Sequence, residues 1–411
     1  MIITWRRLLK RWLPGIISGG ADNDPAGIAT YSVSGAQFGY QQLWLLLLST
    51  PMLIAVQAMC ARLGDVKQKG LMSIIKEHYA PIVAISASAI LIITNTATLG
   101  ADLAAMADSI GLVTKTSFLW WVIPVSVVMW YIIVFQNYRV IEKYFFFLSF
   151  VFLAYIISGV LAKPDWGSIL WAIIRPNIIF TRAYFLTALG LLGTTITPFL
   201  FFWQAKQEVE ERKSKQELIV EAKREDMKVT PGFVYSNIIS FFIIISTAAV
   251  LHDHGIVAIG TAGDAARALE PLVGSFSTYL FAIGIIGSGL MAIPILAAST
   301  AYVVAESFGW RDSLSDKVNQ AKGFYTVLTA SLLVGVGIAI SGINPIQALL
   351  YSQVLNGILG PLLVVLILFI CNDKKIMGNY VNRWFDNLFG WLSVVVMTLG
   401  SAGLFWQLII K

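Results

Sequence analysis

The sequence predicts an all-α polytopic membrane protein in which two inverted five-helix repeats are followed by an eleventh helix, with helices 1 and 6 broken. Three observations predict it: a charge-poor apolar composition, a one-sided distribution of Lys and Arg, and two proline-containing spans five helices apart. Of the 411 residues, 57% are hydrophobic and 13% charged, with a mean hydropathy of +0.76; an ordinary soluble domain carries about 25% charged residues. So little polar surface cannot clothe a chain of this length in water, which excludes a soluble protein and makes the lipid bilayer its first partner.

Apolar runs able to cross roughly 30 Å of hydrocarbon occur near residues 14–40, 43–62, 80–108, 118–136, 144–162, 183–205, 231–251, 275–305, 324–342, 345–370 and 388–410. The start, MIITWRRLLKRW, has the basic character of a leader. The apolar run behind it is interrupted by Asp22, Asn23 and Asp24 and has no small-x-small cleavage site, so it reads as a retained first helix. With that end inside, only Lys115, Lys163, Arg175, Arg182, Arg267 and Lys411 of the 29 Lys and Arg fall outside. The bias supports the helix count, a cytoplasmic N-terminus and an outer C-terminus. The expected location is a cell membrane, the inner one of a prokaryote.

The net charge of +6 is then a consequence of topology, and no nucleic-acid partner is implied. Cys60 and Cys371 lie far apart in apolar runs without metal spacing and read as core residues. The longest charged stretch, Lys206 to Lys228, holds seven bases and seven acids. Glu208/Arg212 and Glu211/Lys215 stand there at i,i+4, as in a solvated helical extension. The whole chain, 1–411, reads as one transport domain: a first repeat over 12–162, a second over 178–371 and the extra helix over 388–410. No obligate protein partner is indicated.

Helix 1 reads SGGADNDPAGIATYSVSGAQFGY and helix 6 ALGLLGTTITPFLFFWQA. Pro25 and Pro198 each remove a backbone donor and obstruct the preceding turn, which predicts an unwound segment in each span. Such backbone survives at membrane depth only inside protein or beside a cavity. Breaks five helices apart fall at corresponding positions of an inverted pair, the arrangement that places a transport site at the repeat interface. The plainer alternative, proline merely kinking two bundle helices, leaves the neighbouring acids unexplained.

Those acids are Asp22 and Asp24, each costing roughly 2.5–3.5 kcal/mol at a helix centre. With no Lys or Arg inside a span, a cation from solution, metal or proton, is the simplest partner. Further polar candidates are Thr194, Thr195 and Thr197 on helix 6, Gln353 and Asn356 on helix 10, Gln57 on helix 2, and Asn95 and Asp102 on helix 3. Any one of these is more often interhelical glue than a ligand. Together they form an all-oxygen set suited to Mg2+, Mn2+ or Ca2+. His78, His252 and His254 all fall outside the spans, which argues against an imidazole relay or metal site in the membrane. No ATP-binding motif, cofactor site or catalytic constellation is visible, so the chain does not read as an enzyme.

DPAGIAT at 24–30, SGAQFGYQQLW at 34–44, ARLGDV at 61–66, ADLAAMADSIG at 101–111 and SQV at 352–354 together resemble the Nramp family of divalent-metal transporters over nearly the whole chain. The resemblance implies the leucine-transporter-type inverted repeat of the APC superfamily and alternating access. It also implies a metal site formed by Asp24, the carbonyls of Ala21 and Thr194, and Gln353. The family's helix 1 asparagine falls on Gly27 and its helix 6 methionine on Thr197. Family histidines are replaced by Phe199 and Gln204; of the helix 3 acids Asp102 is kept while two neighbouring positions become Asn95 and Ala105, and helix 9 lacks the expected arginine. The pattern is closest to the divergent Nramp-related magnesium transporters.

Replacing a thioether by Thr197 hardens the site, Gly27 is expected to leave room, and Asp22 adds charge. A partly hydrated Mg2+ or Mn2+ as transported substrate, moved without proton coupling and with no resident cofactor, is the resulting expectation. The alternatives are a proton-coupled Mn2+/Fe2+ symporter of the ordinary family kind and an amino-acid transporter on the same scaffold.

Overall fold

The computed structural model describes residues 19–20, 22–135, 149–215, 226–314 and 316–410. Ala21, expected to offer a carbonyl, and most of the charged inner stretch after Lys215 lie outside them. The described spans are α1 (Pro25–Phe38), α2 (Leu43–Lys67), α3 (Pro81–Thr114), α4 (Leu119–Phe135) and α5 (Leu153–Leu161). In the second half they are α6, in two pieces (Arg182–Thr195 and Pro198–Lys215), α7 (Asp226–Val250), α8 (Ser277–Phe308), α9 (Lys322–Ala339), α10 (Pro345–Asn372) and α11 (Trp384–Ile409). Each overlaps one of the eleven expected spans; among the described residues eight are long and apolar enough to cross a membrane by themselves, with α4 and α5 shorter apolar helices. Two short helices, Leu71–His78 and Trp166–Ile174, lie in connections where only loops were expected.

Packing follows the inverted repeat. α1 lies against α7, and the second piece of α6 against α2; these contacts exchange when each helix is replaced by the one five places on. α3 and α8, themselves an equivalent pair, pack along each other, while α10 contacts α1, α3 and the first piece of α6. α11 packs on α2, α6 and α10 at the side of the bundle. Helix–helix approach is set by small residues, as expected where lipid offers no hydrophobic drive to associate. A side chain at Gly193 would run into the Gln353 carbonyl of α10, and one at Gly64 into the Ala205 carbonyl of α6.

Both expected breaks are present, but proline acts differently from a kink. In each case it is the first residue of the second helical piece, where its missing N–H costs nothing and its fixed φ suits the helix. Pro51, Pro124, Pro294 and Pro361 all sit inside unbroken helices. A break here therefore requires more than proline: SGGADNDP and GTTITP both place glycine and short polar residues just before it.

Candidate functional site

The helix 1 break is a helix N-terminus held by two carboxylates. Asp24 is the N-cap of α1, with an extended backbone (φ −67°, ψ 168°), and its Oδ1 accepts the Gly27 N–H at 2.5 Å. Asp102 of α3 reaches the same first turn, accepting the Ala26 N–H at 3.2 Å through Oδ1. Unpaired first-turn amides and the positive end of the helix dipole favour anions at this place. Backbone is thus a partner for the acids that charge-counting on side chains missed. Asp22 is held from α7, accepting from Ser236 Oγ at 2.7 Å through Oδ2. Asn23 Oδ1 accepts from Ser240 Oγ at 3.2 Å.

The helix 6 break spans Ile196 and Thr197. Ile196 closes the first piece by donating its N–H to the Leu192 carbonyl, and Pro198 opens the second. Tyr31 of α1 meets Thr195 at 3.1 Å; Thr195 spends its own proton on the Leu191 carbonyl, so the phenol is the donor. The two breaks converge on Gly27. A Cβ placed there would lie 2.8 Å from Thr194 Oγ1, 3.1 Å from Asp24 Oδ1 and 3.5 Å from the Asp22 carbonyl oxygen. Gly27 therefore does not leave spare room as expected; its missing side chain admits the Thr194 hydroxyl.

Several polar atoms around these breaks are buried without a hydrogen-bond partner: Asp22 Oδ1, Asp102 Oδ2, Thr194 Oγ1 and Thr197 Oγ1. Among the described residues no Lys or Arg forms an ion pair with Asp22, Asp24 or Asp102, and no three His, Cys, Asp or Glu side chains converge as a ligand cage. A cation bound here would be held by one or two carboxylates, neutral oxygens and its own water, which is the coordination Mg2+ favours.

Gln353 is buried beside this region, its backbone under Gly193, but its Oε1 already accepts from Asn356 Nδ2 at 2.9 Å. Asn356 points on towards Thr98 of α3, at 3.4 Å. Asn95 lies away from the breaks as interhelical glue, its Nδ2 donating to Ser299 Oγ at 2.8 Å and Thr300 Oγ1 at 3.0 Å of α8. Gln57 is buried with neither amide atom partnered.

The residues missed in the sequence are Ser236, Ser240 and Tyr31. The two serines stand four apart in YSNIIS, a one-face spacing that could have drawn attention to α7. Above the breaks, a cavity of about 870 Å³ is lined by Val33, Gln37, Arg182, Leu186, Gln347 and Tyr351 among others. It opens where the C-terminal end of α1 meets the start of α6 and α10.

Two discontinuous helices facing one another within an inverted repeat, with buried oxygens at both breaks, define a membrane transporter of the broken-helix class. The solved neighbours agree on the fold. The Eremococcus coleocola manganese transporter, crystallised with an aromatic bis-isothiourea substituted compound, superposes with a TM-score of 0.78 at 21% identity, covering 98% of this chain and 88% of that one. MhsT in complex with L-phenylalanine gives 0.59 at 11% identity, over 95% and 98% of the two chains. The model of the family described as natural resistance-associated macrophage protein-like, Nramp, matches residues 15–407. A Deinococcus radiodurans protein named divalent metal cation transporter MntH is 26% identical over 98% of this chain and 91% of its own. The chain belongs to the Nramp family, a family of transporters, and is a multi-pass membrane protein.

Proposed function

We propose that this protein carries divalent metal cations, favouring Mg2+ and Mn2+ as partly hydrated ions, by alternating access and without proton coupling. One observation carries the reading: Asp24, Thr194 and the Asp22 carbonyl gather oxygens from both breaks around Gly27, while Asp22 Oδ1 and Thr197 Oγ1 remain buried and unpartnered. Asp24 is the principal ligand and Asp22 the second acid; Thr194, Thr197, Gln353 and the Ala21 carbonyl orient the ion or its waters, and Gly27 sets the approach of helix 6. Oxygen donors without thioether or imidazole suit a hard ion.

Two α3 positions offer no titratable group for proton coupling, since Asn95 is neutral and committed to α8 and Ala105 is apolar, although Asp102 remains beside the helix 1 break. With the N-terminus inside and an inside-negative potential, entry gains roughly 2.3 kcal/mol per charge per 100 mV, about twice that for a divalent ion. An amino-acid substrate would need the N-terminus of α1 for its carboxylate. Asp24 and Asp102 already occupy that end.

The test is Mn2+ uptake into proteoliposomes, competed by Mg2+, Ca2+ and Fe2+, with lumenal pH followed at the same time. Strong competition by Mg2+ with no acidification is expected. Indifference to Mg2+, or stoichiometric acidification, would return the protein to the proton-coupled Mn2+/Fe2+ kind.

A further inference from the structure

Most serines in these helices return their proton to the backbone of their own helix, as Ser126, Ser288, Ser331 and Ser393 do at 2.7–3.0 Å. Ser236 does not. It is fully buried on α7 and sends its proton across to Asp22 Oδ2 at 2.7 Å. The other oxygen of that carboxylate, Oδ1, is buried and takes no hydrogen bond. Ser240, one turn further along α7, lies 3.2 Å from Asn23 Oδ1 but also 3.1 Å from the Ser236 carbonyl of its own helix, and its single proton is shared between them. Ser236 is the hydroxyl that commits its proton to the helix 1 break.

Resting on the transport reading above, we propose that Ser236 is a positioning and specificity-determining residue that holds Asp22 in a one-oxygen binding posture. A carboxylate with one oxygen engaged by a hydroxyl presents the other oxygen to an ion more readily, which favours one-oxygen over two-oxygen binding. Ca2+ readily takes both oxygens of a carboxylate in its larger shell, whereas Mg2+ keeps a strict octahedron, binds one oxygen and retains water. Ser236 thus favours the smaller ions and rejects Ca2+, acting through Asp22 without touching the ion. Hydroxyl partners of ligating carboxylates commonly matter by about 10–100-fold in affinity.

The experiment measures Mn2+ uptake by the full-length protein in proteoliposomes, with KM and the inhibition constants of Mg2+ and Ca2+, for wild type, Ser236→Ala, Ser236→Thr and Ser126→Ala. Ser236→Ala is expected to weaken Mg2+ competition about 10-fold and to admit Ca2+ as a competitor. Ser236→Thr, which keeps the hydroxyl, should restore wild-type ion ranking, and Ser126→Ala should leave it unchanged. Should the alanine variant fail to fold, Ser236→Cys, similar in size with only a weak donor, reads the same change. Unaltered KM and Ca2+ rejection in a folded Ser236→Ala or Ser236→Cys overturns the positioning role alone. A wild-type protein that takes up neither ion overturns the proposed function and this role with it.

Discussion

Two clusters of buried carboxylates in this protein solve the same electrostatic problem in different ways. At the inner end of α6, Lys206 pairs with Glu306 at 3.3 Å and with Asp312. The remaining Glu306 oxygen accepts the Ser73 N–H at 3.0 Å, and Lys206 also sits 5.2 Å above the Tyr302 ring. At the breaks, Asp22, Asp24 and Asp102 have hydroxyl and backbone N–H partners but, among the described residues, no side-chain cation. A cluster carrying its own cation is structural, tying α6, α8 and the helix Leu71–His78 together. One that lacks a cation, yet keeps oxygens unpartnered, is disposed to receive one from outside.

The largest effect that would break this comparison is at Asp24. Because asparagine caps helices as well as aspartate does, Asp24→Asn should fold normally, by circular dichroism and thermal unfolding in detergent, yet lose uptake by at least about 100-fold, beyond the range typical of mere outer partners. Normal Mn2+ uptake in that variant would show the acid to be a helix cap and nothing more. Asp24→Ala should lose the same uptake and in addition about 0.5–2 kcal/mol of stability from the missing cap.

The structural cluster should respond in the opposite sense. Lys206→Ala strands two acids and is expected to cost about 3–5 kcal/mol, seen as a marked fall in Tm, whereas Lys206→Met combined with Glu306→Leu should recover much of it. If Lys206→Ala changed ion ranking while leaving Tm alone, the division between the clusters would fail.

Thr197→Met sharpens the comparison from the neutral side. A thioether at the helix 6 break should move preference toward softer ions, with about 10-fold weaker Mg2+ competition against Mn2+ uptake and little change in Tm. The smallest effect belongs to Asn95→Leu. Interhelical hydrogen bonds in membranes average about 0.6 kcal/mol, so Tm should fall slightly and transport should survive; loss of transport would place Asn95 in the ion route after all.

Much of this architecture was legible in one dimension. Hydropathy marks spans because lipid demands about twenty apolar residues per crossing, and a described helix falls in each of the eleven runs, with α3 running on past its expected end to Thr114 and the second piece of α6 further still, to Lys215. Asp24-Pro25 and Thr197-Pro198 marked the breaks because a cap and a proline are local signals. Lys206 was less legible: it stood just past the expected end of helix 6, but the second piece continues to Lys215 and buries it.

The sequence by itself determined the helix inventory, the two breaks and a set of oxygen donors poor in sulfur and imidazole, since each depends on residues near one another along the chain. Only the tertiary structure decided which oxygens are already spoken for. Asp102 meets Ala26 across 76 positions and Ser236 meets Asp22 across 214; such bonds are settled by how helices pack, not by any local pattern. The same packing turned Gly27 from expected open space into the point where the Thr194 hydroxyl reaches helix 1.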